Sequence, residues 1–422
     1  MRGVAQVPGD KSLSHRAAVL GAMAEGQTVA EGFLVAEDCL RSLAAVEALG
    51  CRVSRDGTTV TIQSDGYKAW QPPTGVLDLG NSGTSLRLLL GALAGRPFRT
   101  VLDGDDSLRR RPMDRVAEPL GRMGARVVGQ GECCLPPVTV TGGRLVGIEY
   151  RMPVASAQVK SALLLAGLQA QGRTGVFEPG PCRDHTERML GDFGVEVGRE
   201  GPWSWVDGPC SLKACHLCLP GDFSSAAFPI AAAVLVPGSS VRIEKVGLNP
   251  TRTGLLDILS AMGASMEHSQ APESAGEPWG AITVRSSTLA GVHIEGEVLP
   301  RAVDELPLVA VLATQAEGKT VVSGAAELRV KESDRIRAMA EGLRALGADI
   351  TEKPDGWIIR GPRRLRGARV VAELDHRVAM ALAVAGLVAE GETIIEGAAT
   401  VATSFPEFVE TLVSLDARMT TE

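Results

Sequence analysis

The hydrophobic positions of this chain recur in a long cycle. Six Ala/Leu/Val-rich runs, at 13–24, 85–94, 159–170, 225–236, 306–316 and 378–389, each predict a helix. They are less amphipathic than the helices that follow them. Each follows a small polar turn and ends at a glycine (Gly26, Gly95, Gly172, Gly238, Gly318, Gly391), which reads as a left-handed stop. A β-type run comes next, such as Thr320-Val321-Val322 or Thr393-Ile394-Ile395. A second, more amphipathic helix then closes at a Leu-Gly, Met-Gly or Phe-Gly step before another strand, as in Leu49-Gly50-Cys51-Arg52-Val53 and Phe193-Gly194-Val195-Glu196-Val197. The sixth copy, Leu415-Asp416-Ala417-Arg418-Met419, has no strand after it.

Helix, strand, helix, strand therefore recurs six times, with units opening near residues 10, 81, 155, 222, 304 and 375. A period of about 70 residues is too long for a simple solenoid and fits a small α/β fold repeated. Two openings are alike and half a chain apart: Val7-Pro8-Gly9-Asp10-Lys11-Ser12 and Leu219-Pro220-Gly221-Asp222-Phe223-Ser224. They predict two crossings, near 9–12 and 219–224, between two domains of three units each. One domain would be 1–10 with 221–422, completed by a strand at 3–7; the other, 11–220, is inserted in it. A ligand site in the cleft between domains is expected on that basis.

Composition narrows the class. The 422 residues are 45% hydrophobic and 22% charged, with a net charge of −7, which invites neither nucleic acid nor an anionic membrane. No apolar stretch suits a spanning helix and no signal-peptide core stands at the N-terminus, so a cytoplasmic monomer is expected. Eight Cys in so long a chain do not make a disulfide scaffold. Cys210, Cys215, His216 and Cys218 have metal-like spacing in a strand expected at 212–219. A zinc site usually needs a second, separated pair of ligands, so free thiols and no metal are expected.

The candidate chemistry lies at the helix starts. Lys11, Ser12 and Arg16 crowd the first, where unpaired N–H groups and the macrodipole already favour an anion. The second start carries Gly80-Asn81-Ser82-Gly83-Thr84 with Arg87 one turn on, and the third Ala155-Ser156-Ala157-Gln158-Val159-Lys160-Ser161. The fifth has Asp304 and the sixth Asp375-His376-Arg377. Arg109-Arg110-Arg111 and Arg329-Val330-Lys331-Glu332-Ser333-Asp334-Arg335 add charge, the latter with Lys331 and Arg335 at i and i+4 on an expected helix face. Cations so focused in a net-acidic chain imply ligands bearing two or more phosphates or carboxylates.

Together, Gly9-Asp10-Lys11-Ser12-Leu13-Ser14-His15-Arg16, Gly80-Asn81-Ser82-Gly83-Thr84, Arg111-Pro112-Met113, Arg329-Val330-Lys331-Glu332-Ser333-Asp334-Arg335 and Asp375-His376-Arg377 resemble the 5-enolpyruvylshikimate-3-phosphate synthases, along the whole chain. The resemblance implies the two-domain enolpyruvyl-transferase fold, an inside-out α/β barrel of six βαβαββ units with helices inside and sheets outside. It implies transfer of the enolpyruvyl group of phosphoenolpyruvate to the 5-hydroxyl of shikimate 3-phosphate in aromatic amino acid biosynthesis. The route would be addition and elimination, without metal or organic cofactor, in an enzyme of the class targeted by glyphosate. By resemblance, Lys11, Asn81, Gly83, Arg111, Gln158, Arg335, His376 and Arg377 hold phosphoenolpyruvate. Lys11, Ser12, Arg16, Ser156, Ala157, Gln158, Arg183, Asp304 and Lys331 hold shikimate 3-phosphate. Asp304 is the candidate acceptor of the hydroxyl proton, Glu332 the candidate to handle the methylene proton, and Lys11 stabilises or protonates at the leaving phosphate.

Three positions depart from the family pattern. Ala157 replaces a common second serine, a loss for which Arg183 can compensate; Glu327 stands where some members have Asn; and Thr403-Ser404-Phe405-Pro406 lacks the usual Lys. The sister transferase acting on UDP-N-acetylglucosamine would need a Cys in the loop at 104–111, which has none, and no other Cys is expected near a site motif. A non-catalytic phosphosugar-binding repeat protein would keep the cations but need neither Asp304 nor Glu332.

Overall fold

All six apolar runs are helices in the computed structural model, which describes residues 1–274 and 276–421. Strand β1 (Arg2–Gln6) leads into α1 (Lys11–Met23), β2 (Glu25–Glu31), α2 (Glu37–Ala48), β3 (Arg52–Asp56) and β4 (Thr59–Asp65). The second repeat is β5 (Leu77–Asp78), α3 (Gly83–Leu93), β6 (Arg99–Asp103), α4 (Asp114–Met123), β7 (Arg126–Gln130) and β8 (Leu135–Thr141). The third is β9 (Glu149–Arg151), α5 (Ala157–Gly167), β10 (Gly172–Phe177), α6 (His185–Asp192), β11 (Gly198–Glu200) and β12 (Trp203–Gly208), followed by β13 (His216–Cys218). The fourth comprises α7 (Phe223–Leu235), β14 (Ser240–Gly247), α8 (Gly254–Ala261), β15 (Ser265–Ser274) and β16 (Glu277–Arg285). The fifth runs β17 (His293–Ile294), α9 (Val298–Ala302), α10 (Leu306–Gln315), β18 (Gly318–Val322), α11 (Arg335–Ala345), β19 (Asp349–Lys353) and β20 (Gly356–Gly361). The sixth has β21 (Arg369–Val371), α12 (His376–Gly386), β22 (Ile394–Glu396) and α13 (Phe408–Ser414).

Five sheets share one plan: β13-β2-β4-β3, β5-β6-β8-β7, β9-β10-β12-β11, β1-β14-β16-β15 and β17-β18-β20-β19. In each, the first two strands are parallel and the next pair antiparallel. The sixth keeps only the parallel pair β21-β22 among the described residues. β1 aligns Arg2 with Ser240 of β14, so the first strand of the chain enters the sheet of the fourth repeat, not the strand-poor sixth.

The chain divides into two units. An N-terminal unit covers Gly9–Leu219 with Glu273–Glu277; a C-terminal unit covers Met1–Pro8, Pro220–Pro272 and Pro278–Glu422. In the first, α3 packs against both α1 and α5; in the second, α7, α10 and α12 pack pairwise. These helices are buried on nearly every face, while strands such as β4 and β8 alternate buried with half-exposed positions. Each unit therefore has helices inside and sheets outside, as all-round apolar helices require. No helix among the described residues is long and apolar enough to cross a membrane.

Local differences have clear causes. Most core helices start earlier than their apolar runs because polar side chains cap them: Asp10 accepts Leu13 N at 2.9 Å, Ser82 accepts Ser85 N at 3.2 Å and Asp375 accepts Arg377 N at 2.9 Å. Most of the glycines expected to stop those helices do something else. Gly26 lies inside β2, Gly172 and Gly318 open β10 and β18, and Gly95 is not left-handed at all. The left-handed stop falls on the second helices, at Gly50, Gly124, Gly194, Gly263 and Gly347, and at Asp416 (φ 66°) in the sixth copy. The strand expected near 195–197 begins only at Gly198, and the one expected at 212–219 shrinks to three residues.

Candidate active site

In the N-terminal unit, α1 opens with Lys11, whose Nζ lies 2.5 Å from Asp38 Oδ2 in the first turn of α2. One turn on, Arg16 is buried rather than solvated. Its Nε donates to Thr186 Oγ1 at 2.7 Å, Nη2 to Ser161 Oγ at 3.0 Å and Nη1 to the Ser12 carbonyl at 2.9 Å. Burial pushes the Arg16 pKa down to about 10; Glu187 opposes the shift, and nearby Arg183 adds to it. His15 is also buried, with Nδ1 2.8 Å from Ser42 Oγ and 3.2 Å from Ser85 Oγ. Burial, then Lys11 and Arg16, hold its pKa well below the ordinary value.

The starts of α3 and α5 meet. Arg87 Nη1 donates to Gln158 Oε1 at 2.6 Å, and Gln158 Nε2 to Thr84 Oγ1 at 2.9 Å, so the amide is held from both ends. A Cβ on Gly83 would lie 2.9 Å from Arg87 Nη1 and 3.3 Å from Arg111 Nη1. Gly83, Arg111 and Gln158 are therefore grouped around Arg87. Arg109 instead pairs with Asp103 at 2.7 Å on the surface. Ser156 caps α5, accepting Val159 N at 3.4 Å, and Ala157 is the first residue of that helix. Asn81 lines a cavity of about 440 Å³ together with Asp38, Asp78, Asp103 and Asp105, and with Arg41 and Arg109, which pair with Asp78 and Asp103.

The C-terminal unit gathers the carboxylates. Asp304, in the turn before α10, has Oδ1 3.6 Å from Arg335 Nη1 and Oδ2 3.6 Å from Arg377 Nη2. Arg335 is almost wholly buried, with Nε 2.7 Å from Asp375 Oδ2 and Nη2 2.6 Å from Glu332 Oε2. Burial opposes its charge, but Asp375, then Glu332 and Asp304, more than offset this and raise its pKa. Burial likewise favours neutral Asp375, and Arg335 outweighs it, so the Asp375 pKa falls. Nη1 of Arg335 is buried with no hydrogen-bond partner among the described residues. His376, also buried, is the first residue of α12, and Arg377 donates to the Asp304 carbonyl at 3.3 Å.

Lys331 pairs with Glu327 and is not on a helix with Arg335. Asp334 caps α11 by accepting Arg337 N at 3.1 Å, so the helix begins at Arg335 and the i,i+4 face does not form. The fourth helix start, Asp222-Phe223-Ser224, is closed by the chain itself: Ser224 Oγ donates to Glu305 Oε1 and accepts from Arg252 Nη2 at 2.7 Å, all buried. It has no Lys, and a carboxylate of its own unit already fills its hydroxyl.

Sequence reasoning missed Asp38, Thr186 and Glu305; it placed Ser161 at the third helix start without its partners. It also missed Cys39, whose Sγ lies 3.9 Å from His15 Nε2 and 3.8 Å from the Lys11 carbonyl, so a cysteine does approach a site motif. Cys39 is buried and packs as core. Of the metal-like cluster, His216 and Cys218 join Glu31 with ligand atoms within 4.8 Å of one another, on an exposed edge and one ligand short of a tetrahedral protein set. At Ser404-Phe405-Pro406, Phe405 is buried against Phe408 at 5.7 Å between ring centres.

Comparison with known proteins covers the same length of chain. The family model for EPSP synthase (3-phosphoshikimate 1-carboxyvinyltransferase) matches residues 1–412. A 3-phosphoshikimate 1-carboxyvinyltransferase of Desulforudis audaxviator is 53% identical over 416 residues, 98% of this chain and 97% of its own. That of Brevibacillus brevis is 49% identical over 415 residues, again 98% and 97%. The structure of an EPSP synthase from Acinetobacter baumannii is similar at a TM-score of 0.89 and 46% identity, covering 98% of this chain and 95% of that one. The enolpyruvyl transferase NikO of Streptomyces tendae, 21% identical, shares the fold at a TM-score of 0.77 over 99% and 95%.

Proposed function

Because the chain belongs to the EPSP synthase family, we propose that the two clusters of charged residues hold the substrates of that family's reaction, shikimate 3-phosphate and phosphoenolpyruvate. The reaction passes the enolpyruvyl group of phosphoenolpyruvate to the 5-hydroxyl of shikimate 3-phosphate and releases phosphate. The substrates bring two phosphates and two carboxylates, which explains so many Arg and Lys in a net-acidic chain.

The N-terminal unit supplies Lys11, Ser12, Arg16, Ser156, Ala157, Gln158 and Arg183 to shikimate 3-phosphate, and Lys11, Asn81, Gly83, Arg111 and Gln158 to phosphoenolpyruvate. The C-terminal unit supplies Asp304 and Lys331 to the first, and Arg335, His376 and Arg377 to the second. The Arg335 Nη1 hydrogens support the assignment of Arg335.

The observation that carries the catalytic reading is the carboxylate pair, Asp304 and Glu332, on one guanidinium, Arg335. In the addition step the 5-hydroxyl oxygen bonds to C2 of phosphoenolpyruvate, Asp304 accepts the hydroxyl proton, and C3 receives a proton through Glu332. In the elimination step Glu332 takes a proton back from C3, the C2–O bond to phosphate breaks, and Lys11 meets the charge on the leaving oxygen. The tetrahedral adduct is the species between these steps. A cytoplasmic location fits eight cysteines none of which is in a disulfide.

Phosphate release is the test, with shikimate 3-phosphate or UDP-N-acetylglucosamine offered beside phosphoenolpyruvate. Turnover is expected with the first alone. Asp304→Asn and Glu332→Gln should lose turnover while still binding shikimate 3-phosphate; unchanged turnover in both would remove the carboxylates from the mechanism.

A further inference from the structure

Behind Arg16 the N-terminal unit holds a buried charge cluster that has no part in addition or elimination. Lys160 on α5 has no exposed side-chain surface, and its Nζ lies 3.0 Å from Glu178 Oε1 and 2.5 Å from Glu187 Oε1. A buried ammonium persists only when paired in this way. The pairing fastens α5 to α6, because Glu187 belongs to α6. Each of these two ions has a sequence neighbour carrying a hydroxyl, Ser161 and Thr186, and those hydroxyls touch: Thr186 Oγ1 donates to Ser161 Oγ at 2.7 Å. Both also receive Arg16, through Nε and Nη2.

The guanidinium has five N–H groups in a rigid fork. Thr186, Ser161 and the Ser12 carbonyl take three of them, one on each nitrogen. The remaining two, on Nη1 and Nη2, form the end of the fork that grips an oxyanion bidentately. Glu187 is the first of the groups opposing the burial that lowers the Arg16 pKa.

We propose that Ser161 and Thr186, held together by the Lys160–Glu178–Glu187 ion cluster, are positioning residues that aim the two remaining Arg16 N–H groups at the anionic ring substrate. The proposal rests on Arg16 holding shikimate 3-phosphate. Neither hydroxyl touches substrate. Their effect passes through the plane of one guanidinium, so it falls on affinity for one substrate and not on the chemical step.

Thr186→Val keeps the volume and removes the hydroxyl; Ser161→Ala does the same for the partner and serves if the first variant fails to fold. Either should raise KM for shikimate 3-phosphate by about tenfold, the scale of one hydrogen bond to a charged group. The kcat and the KM for phosphoenolpyruvate should stay within twofold, and Thr186→Ser should restore the first KM. In an Arg16→Ala background, Thr186→Val should add nothing further. An unchanged KM, an equal loss for both substrates, or full additivity with Arg16→Ala would overturn the positioning role. If Arg16→Ala itself leaves binding of shikimate 3-phosphate unchanged, the assignment of Arg16 fails instead, so the two failures are distinct.

Discussion

Lys11 Nζ lies 2.5 Å from Asp38 Oδ2, so the cation at the first helix start is already engaged by a buried carboxylate. An ammonium has three donors, and the pairing with Asp38 fixes where they point. Asp38→Ala should release Lys11 and lower kcat/KM for phosphoenolpyruvate 10- to 100-fold, roughly the scale of losing a buried charge-assisted bond. Asp38→Asn keeps an acceptor and should lose less. Steady-state kinetics of the two variants checks this; equal losses would show that an acceptor at residue 38 does not orient Lys11.

Gly83 leaves no room for a methyl group. Its Cβ would meet Arg87 Nη1 at 2.9 Å and Arg111 Nη1 at 3.3 Å, and both contacts are flexible side-chain ends that can yield. Gly83→Ala should therefore fold normally, displace the guanidinium groups and raise KM for phosphoenolpyruvate severalfold. Bulkier analogues of phosphoenolpyruvate should lose more affinity than the substrate does. Inhibition constants measured beside KM decide it, and an equal loss for both would contradict it.

The buried His15 should make stability depend on pH. Its folded pKa lies well below 6.5, from burial first and then Lys11 and Arg16. In the unfolded chain it takes up a proton near pH 6.5, so the stability from keeping it neutral is complete above that pH. It is lost as pH falls from about 6.5 toward the folded value, at up to about 1.4 kcal/mol per unit. Urea unfolding at pH 7.5 and 5.5 should show this slope, and His15→Gln should flatten it by that amount. Parallel slopes in the two proteins would remove His15 as the source.

Asp416 stands where five other repeats have glycine, at φ 66°. A left-handed residue costs roughly 1–2 kcal/mol unless it is glycine or a short polar residue that tolerates the conformation. Thermal midpoints should rank glycine at or above Asp, and Asp above Ala, with Asp416→Ala losing about 1 kcal/mol. A variant with Ala at this position as stable as the parent would contradict the ranking.

The fold was legible because its buried elements are monotonous. Runs such as 225–236 are apolar on every side, so their number and spacing identify six repeated units before any pairing is known. Helix starts were legible to within about two residues, and the caps at Asp10 and Ser82 set the helices beginning at Lys11 and Gly83. Lys331 and Arg335 misled: the spacing suits a helix, and Asp334 begins one between them. The cations of the site could be picked out by type, but their buried partners could not. Asp38, Thr186 and Glu305 lie 27, 170 and 81 residues from Lys11, Arg16 and Ser224, and no local pattern marks such meetings. The resemblance between the openings at 7–12 and 219–224 was correct as sequence, yet only one carries a Lys, while the other is filled by Glu305.

The pairing of β1 with β14 has a consequence for how the protein is made. Met1 and Ser239, which hydrogen-bond at 3.0 Å, are 238 residues apart. At ordinary rates of synthesis the first strand leaves the ribosome on the order of ten seconds or more before its partner exists. Throughout that interval residues 2–6 present an unpaired strand edge, the kind that seeks the wrong neighbour. Gly9–Leu219 can condense in the meantime, but the sheet of the fourth repeat cannot be finished until residues 240–244 return to residues 2–6.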